Sequence, residues 1–497
     1  MPASPPSHSS IAPRPPAPGT SGSAGTPGSA RRSMRRILWA WAFGATWMYI
    51  VMGAAATEYA RQLGVSPFGF GVLAALPFIG AFTQLPVSIL IERYGGRKFI
   101  FMSTGIIGRV LWLPLAAIPW VLPQRYWSVA LLTGMSVAML LTQMGVPAWL
   151  SWAADIIPPR VRGRYFSWRI RLGQAVGILV SLAVGLGMDY ADTLDPAYVR
   201  VAISLAYVFA AVMGVCDYLM HVAVPSPPES PRPDHSIRHL VFTPLADKNF
   251  RRFLGFTFTL TFSIGYIGQF VNLYLLDVVV KDLPNKYFVM NVMMVAIPLL
   301  CYVLSVGFWG KLIDRFGKRP VAILSGLMTV NGAVAWVFVT PEHWMLGYLV
   351  VLLVTTAWPG LDLANFNILL GLSESRGGER IGSAYVAINS VVVAIAGTLS
   401  GLFGGAVAES LGADWRIVIF HWPVTYHGVL FLISGVLRAA CLFFLIGLHE
   451  EGATSTRDAA RYMAANIYSN IQQAILMPTR IVGLVGKVSR QTFRMDK

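Results

Sequence analysis

The residues that could do chemistry here are isolated ionisable and hydrogen-bonding side chains set inside long apolar runs. Asp362 is the sharpest of them. An aspartate at the centre of a membrane-spanning helix is about 2.5–3.5 kcal/mol uphill on insertion scales, so it needs a cation, water or a proton. A desolvating surround favours the neutral acid, the property a proton-coupling carboxylate uses. A structural ion pair is the alternative. Pro359 and Gly360 precede it and are expected to kink or open the helix, freeing backbone carbonyls. Thr355, Trp358, Asp362 and Asn365 recur at steps of three, four and three, which stacks them on one helical face. Thr259, Ser263, Tyr266 and Gln269 do the same at four, three and three, with Asn272 three further on. Gln143, Ser151 and Asp155 form a third ladder beside Trp149 and Trp152. Thr46 and Tyr49 form a shorter pair, followed by Thr57 and Glu58. Polar stripes in such runs must face protein or water. Reversible hydrogen bonding of a solute is one use of them, and bonding between helices is the other.

Two further charges, Arg109 and Arg438, are mid-run. Each either binds an anion or pairs with an acid such as Asp217, and pairing or snorkelling is the simpler role. Glu58 is near a run's end, where solvation accounts for it. No Gly-x-x-x-x-Gly-Lys-Ser/Thr loop, metal-spaced His/Cys cluster or Ser/His/Asp arrangement is present. No enzyme activity, cofactor or metal is therefore expected, and any work the protein does must draw on a gradient. Cys216, Cys301 and Cys441 fall inside apolar runs, which excludes a disulfide scaffold.

These residues need elements to hold them, and composition says which. Hydrophobic residues make up 55% of the chain and charged ones 12%, against about 25% charged in soluble domains. So few charges cannot clothe a water-facing surface, so the exterior faces lipid. The +16 net charge then reads as topology, and no nucleic-acid partner is expected. Apolar runs long enough to span a bilayer lie near 37–60, 67–91, 98–119, 126–154, 165–188, 197–222, 253–277, 286–309, 320–340, 343–371, 381–408 and 425–447. The first is too long for a signal-peptide core and has successors, so it reads as a span. Lys and Arg crowd the tails and one alternate set of loops, leaving only Arg61, Arg125, Arg200, Lys281, Lys286 and Arg416 on the other side. Both termini are thus expected in the cytoplasm. Residues 1–30, rich in Pro, Ser, Gly and Ala, read as a disordered cytoplasmic tail. The Pro-rich stretch from Pro225 to Pro233 cannot continue a helix. It divides the chain into bundles at 31–224 and 251–449, joined by a cytoplasmic linker at 225–250. A tail follows at 450–497. There Met463, Ile467, Ile471 and Ile475 precede Arg480, Lys487, Arg490, Arg494 and Lys497, the pattern of an amphipathic helix on anionic lipid, with partner binding as the rival.

The two halves repeat. Ile91-Glu92-Arg93-Tyr94-Gly95-Gly96-Arg97, after the second run, returns 222 residues later as Ile313-Asp314-Arg315-Phe316-Gly317-Lys318-Arg319, after the eighth. The stretch from Gly310 to Arg319 resembles the loop signature of the major facilitator superfamily throughout; in the first copy Ser88 and Glu92 replace its Gly and Asp. The segment Asp155–Arg164 (DIIPPRVRGR) resembles the linker between helices 4 and 5 in that superfamily. The resemblance implies an all-α integral membrane protein of twelve transmembrane helices in two six-helix bundles. It also implies a cavity lined by helices 1, 4, 7 and 10, so that Thr46, Tyr49, Gln143, Trp149, Tyr266, Gln269, Asn272, Trp358, Asp362 and Asn365 are the candidate substrate-binding residues. Glu92, Arg93, Arg97, Asp155, Arg162, Arg164, Gly310, Asp314, Arg315, Gly317 and Arg319 become candidate gating residues, whose carboxylates and cations latch the halves in one conformation. The implied function is secondary active transport of a small solute by alternating access, proton-coupled as a symporter, by a monomer in the plasma (inner) membrane. Helix 5 lacks the Gly-Pro pair of the drug/proton antiporters. Pro228-Glu229-Ser230-Pro231-Arg232 matches a short sugar-porter string inside a linker where such strings arise easily. A carrier-like sensor or assembly factor that moves nothing is the alternative from another class.

Overall fold

The structure is a computed structural model that describes residues 27–226, 244–374, 378–412, 414–419, 422–450 and 452–465. Residues 1–26, the Pro-Glu-Ser-Pro-Arg string and the tail beyond 465 lie outside them, and with them most of the expected disordered tail and amphipathic helix. Among the described residues twelve helices are long and apolar enough to cross a membrane: α1 Arg31–Gln62, α2 Pro67–Tyr94, α3 Arg97–Val121, α4 Gln124–Ile156, α5 Pro159–Leu194, α6 Pro196–Val222, α7 Lys248–Val279, α8 Lys286–Phe316, α9 Lys318–Phe338, α10 Leu346–Ser373, α11 Ala384–Leu411 and α12 Tyr426–Ile446. A short antiparallel pair, β1 (Arg416–Ile419) and β2 (Trp422–Thr425), precedes α12. Side chains such as Phe443 (75% exposed) and Leu179 (69% exposed) project outward. An apolar exterior of this kind is stable only against hydrocarbon.

Local chemistry sets the helix ends. Ser66 accepts the Gly69 amide ahead of Pro67, Asp195 caps Ala197 ahead of Pro196, and Asp247 caps Asn249 at the start of α7. Helices α1, α2 (at Phe82 and Thr83), α3 (at Leu111) and α7 break inside the span. α1 is interrupted between Val51 and Ala54, and α7 loses its helical hydrogen bonding over residues 266–269. α10, by contrast, runs unbroken through Pro359, where the Pro-Gly pair led us to expect an opening. The Trp309 indole, on α8, donates to the Thr356 carbonyl at 2.7 Å, and Gly360 lets that ring lie against the backbone. The turn disturbed by proline thus gains a donor from a neighbouring helix.

The helices alternate in direction, so their ends gather at two faces. At one face Arg36 donates to the Ala223 carbonyl, Lys98 to those of Val222 and Val224, and Asn249 to that of His449. We call this the basic end. Helical residues 456–465 fold back onto it, with Ala459 fully buried and Tyr462 against Phe316. The apolar cores are distributed unequally between the faces. At the far end one continuous core joins both halves, from Trp47, Tyr59 and Phe70 to Phe270, Tyr287 and Phe431. At the basic end there are two cores: one drawn only from the first half, around Phe101, Trp152 and Tyr165, and one only from the second, around Phe250, Trp309 and Leu361. The halves are fused at the far end and parted at the basic end.

Candidate functional site

Gates at the far end were almost invisible in the sequence. Glu58 is buried, not solvated: Arg61 gives it two hydrogen bonds at 2.8 Å and Gln62 one at 2.7 Å. Arg61 also reaches Asp277 of the other half at 3.8 Å, and Lys286 pairs with Asp192 across the same boundary at 2.8 Å. A polar pocket of about 400 Å³ lined by Glu58, Arg61, Asp277, Lys281 and Lys286 opens there, on the outer side of the shared core and away from the stripes. Two caps repeat across the halves. Asp189, on α5, accepts the Tyr287 and Phe288 amides at the start of α8 (3.0 and 2.8 Å), and Glu409, on α11, accepts the Phe68 amide at the start of α2 (2.9 Å). The carboxylates are 220 residues apart, and so are Phe68 and Phe288, so the duplication that copied the loop motif also copied this latch. A carboxylate on a helix N-terminus meets unsatisfied amides and a favourable dipole. Nearby, Asn291 donates to the Ser181 carbonyl at 2.9 Å, joining α8 to α5. Gly401 lies so close to Gly71 that an added Cβ would sit 2.6 Å from its carbonyl oxygen.

Toward the basic end, the α10 stripe turns nearly opposite to the lipid-facing Leu349, Leu352 and Leu353. Asp362 is exposed there and has neither an ion pair nor a hydrogen bond among the described residues; Tyr302 of α8 is the ionisable group that feels it. The Asn365 Oδ1, with Asn389 Oδ1 on α11 and Gln174 Oε1 on α5, is buried without a hydrogen-bond partner among the described residues. Native interiors rarely leave such acceptors unmet. Trp358 faces Arg438, whose guanidinium carbon is 5.9 Å from the ring centre and which donates to the Thr329 carbonyl.

The other candidates are placed differently. The break in α7 disperses its stripe: Ser263 accepts from Ser434 through its carbonyl, Tyr266 is buried against Phe262, and Gln269 and Asn272 are half-buried. Gly265 precedes that break and Gly268 lies within it, and they were the available signal. Gln143 spends its amide on the Pro77 carbonyl (2.9 Å) and accepts from Gln84. Thr46 donates back to the Ala42 carbonyl, and Tyr49 lies against Gly177. Trp149 packs on Phe166 and under the guanidinium of Arg169. Arg109 stacks on Trp47 at 3.2 Å and donates to Thr142.

At the basic end the structure joins some of the candidate gating residues. Arg97 pairs with Asp155 and donates to the Ser151 carbonyl, bracing α3 against α4, and Arg162 caps the end of α4 through the Ala154 carbonyl. Both contacts lie within the first half. In the second half Glu450, a residue the sequence did not single out, accepts the Lys318 and Arg319 amides at 2.9 and 2.8 Å, and Arg319 donates to the Ile446 carbonyl. Gly317 adopts φ +96°, a backbone open to glycine. Arg315 stacks on Tyr462. Glu92, Arg93, Arg164 and Asp314 stand exposed, and Gly310 has open space beside it.

Twelve spanning helices in two halves that share one core at one end and keep separate cores at the other have the architecture of a secondary transporter. The profile of the Major Facilitator Superfamily matches residues 38–369, and the chain belongs to that family. No curated protein matches the sequence. Among solved structures, a mutant of the nucleoside transporter NupG superposes with a TM-score of 0.64 at 13% identity, over 85% of this chain and 100% of its own. The D-xylose-proton symporter gives 0.60 at 15%, over 85% and 99%. A bacterial homologue of the human lysosomal transporter Spinster, inward-facing and occupied, gives 0.58 at 14%, over 89% and 98%. At such identities the likeness is one of fold. The protein is a multi-pass membrane transporter of the major facilitator type.

Proposed function

We propose that the protein carries a small solute across the plasma (inner) membrane by alternating access, coupled to a proton bound at Asp362. The observation that carries this reading is the unpaired Asp362 on the parted side of a molecule whose two halves share one core only at the other end. The basic end faces the cytoplasm by its excess of Lys and Arg, so the conformation is inward-facing. The caps and ion pairs of the far end then form the outer gate, and Arg97, Asp155, Arg162, Glu450 and Arg319 stiffen the inner rims of the bundles. Asn365, Trp358, Trp149, Gln269 and Asn272 line the solute path with Thr46, Tyr49, Gln143 and Tyr266 behind them. The monomer is the transporting unit, because one chain supplies both halves, and the basic tail rests on the anionic inner leaflet.

Uptake into proteoliposomes under an imposed pH gradient tests the coupling. Asp362→Asn should abolish gradient-driven accumulation while leaving counterflow of the same solute, since a neutral amide supports solute exchange but carries no proton. Accumulation that survives the substitution would end the coupling role.

A further inference from the structure

Arg169 is about 15 Å into α5 from Pro159 by helical rise, and three helices converge on it. Its guanidinium is sandwiched between two indoles, with the carbon 3.9 Å from the Trp41 ring centre and 4.4 Å from that of Trp149. Those rings belong to α1 and α4. The head group makes no hydrogen bond and no ion pair among the described residues, and its Nε is buried without a partner. Stacking on both faces leaves the planar edge as the only bonding surface, and that edge carries the parallel N–H donors that match a carboxylate or phosphate. The side chain, both indoles and the neighbouring Phe166 are each half-buried. The two halves have separate cores at this level.

Charge balance leads the same way. Arg109, Arg169 and Asp217 form one electrostatic cluster in which the single buried carboxylate serves two cations. Asp217 contacts His221 at 3.6 Å and forms no ion pair with either arginine among the described residues. Arg109 is 6% exposed, stacks on Trp47 and gives one hydrogen bond to Thr142, its Nε being unmatched like that of Arg169. One positive charge is left over, and Arg169 is the more exposed of the two cations and the one that makes no hydrogen bond among the described residues. A desolvated, uncompensated guanidinium is costly unless an anion completes it.

We infer that Arg169 is an oxyanion subsite, held edge-on to the cavity by Trp41 and Trp149, and that the solute carries a carboxylate or phosphate group. The inference rests on the carrier reading and deepens it: an anionic solute moving with a proton through Asp362 partly offsets its own charge.

The test uses the full chain in phosphatidylcholine nanodiscs, with inorganic phosphate, benzoate and glucose 6-phosphate as anionic probes and glucose and choline as controls. Tryptophan fluorescence and thermal stability report binding. At least one anionic probe should bind more tightly than both controls. Arg169→Gln should weaken it by about tenfold or more, and Arg169→Lys, which keeps the charge but loses the fork, should fall between. If the Gln variant does not fold, the Lys variant carries the comparison. Equal binding by Arg169→Gln, preference for glucose or choline, or no binding by any anionic probe overturns the subsite. Loss of probe binding when phosphatidylglycerol is added to the discs also overturns it, since the anion would then be a lipid headgroup. Proteoliposome uptake separates the two claims. A neutral or cationic solute transported equally by wild type and Arg169→Gln removes the subsite and leaves the transporter standing.

Discussion

Single residues here are decided by what lies across from them in space. Asp217 is the clearest case for energetics: it is 8% exposed, and Arg109 and Arg169 both lean on its charge. Asp217→Asn should lower stability by on the order of 1 kcal/mol, because it removes the buried carboxylate nearest to two cations without breaking a direct ion pair to either. Thermal unfolding of the purified protein measures this, and an unchanged midpoint would show that the arginines are solvated. Glu58 illustrates the limit of reading along the chain. Its i+3 partner Arg61 was visible in the sequence, but its burial depends on Asp277 and Tyr287 of the other half. Arg169 follows Arg160, Arg162 and Arg164 near the start of α5, where a charge tally treats every arginine as interfacial. The two tryptophans that draw it inward come from other helices, and no local spacing encodes them. Asp362 and Asn365 were legible, because a polar stripe on an uninterrupted helix keeps its period in the structure.

Elements show a similar division. All twelve spans could be found from apolar length alone, since lipid demands long helices with satisfied backbones. The α7 break escaped because a stripe drawn at helical period assumes an intact helix, whereas residues 266–269 leave it. The glycines of α11 escaped as well, although Gly397, Gly401 and Gly405 recur every four residues, a spacing that brings helices close. Gly401→Val should force α2 away from α11, since the added carbon would meet the Gly71 carbonyl and the Ala75 amide, which are backbone atoms that cannot turn aside. A cysteine placed at Phe78, which lies against Gly397, should then label faster from outside. Labelling as slow as in the parent would mean that the seam absorbs the side chain. The paired caps give a second prediction. The double variant Asp189→Asn with Glu409→Gln removes the charge from both latches, each worth about 0.3–1 kcal/mol at a helix N-terminus. It should shift the population toward the outward-open form, read as faster external labelling of the same cysteine.

At the scale of the whole molecule, the account holds that the two halves rock about a seam that can form at either end. The duplicated loop motif announced the halves, and the duplicated caps, offset by nearly the same number of residues, say that the gate was copied with them. What no sequence pattern could state is which end is shut, because that depends on contacts between the halves made by residues up to 341 positions apart. Double electron–electron resonance tests this most directly, using one spin-label pair at exposed Asp195 and Asp282 on the far end and another at exposed Tyr94 and Lys311 on the basic end. Going from wild type to the double cap variant, the first distance should lengthen as the second shortens. Distances that stay fixed together, or lengthen together, would contradict the account.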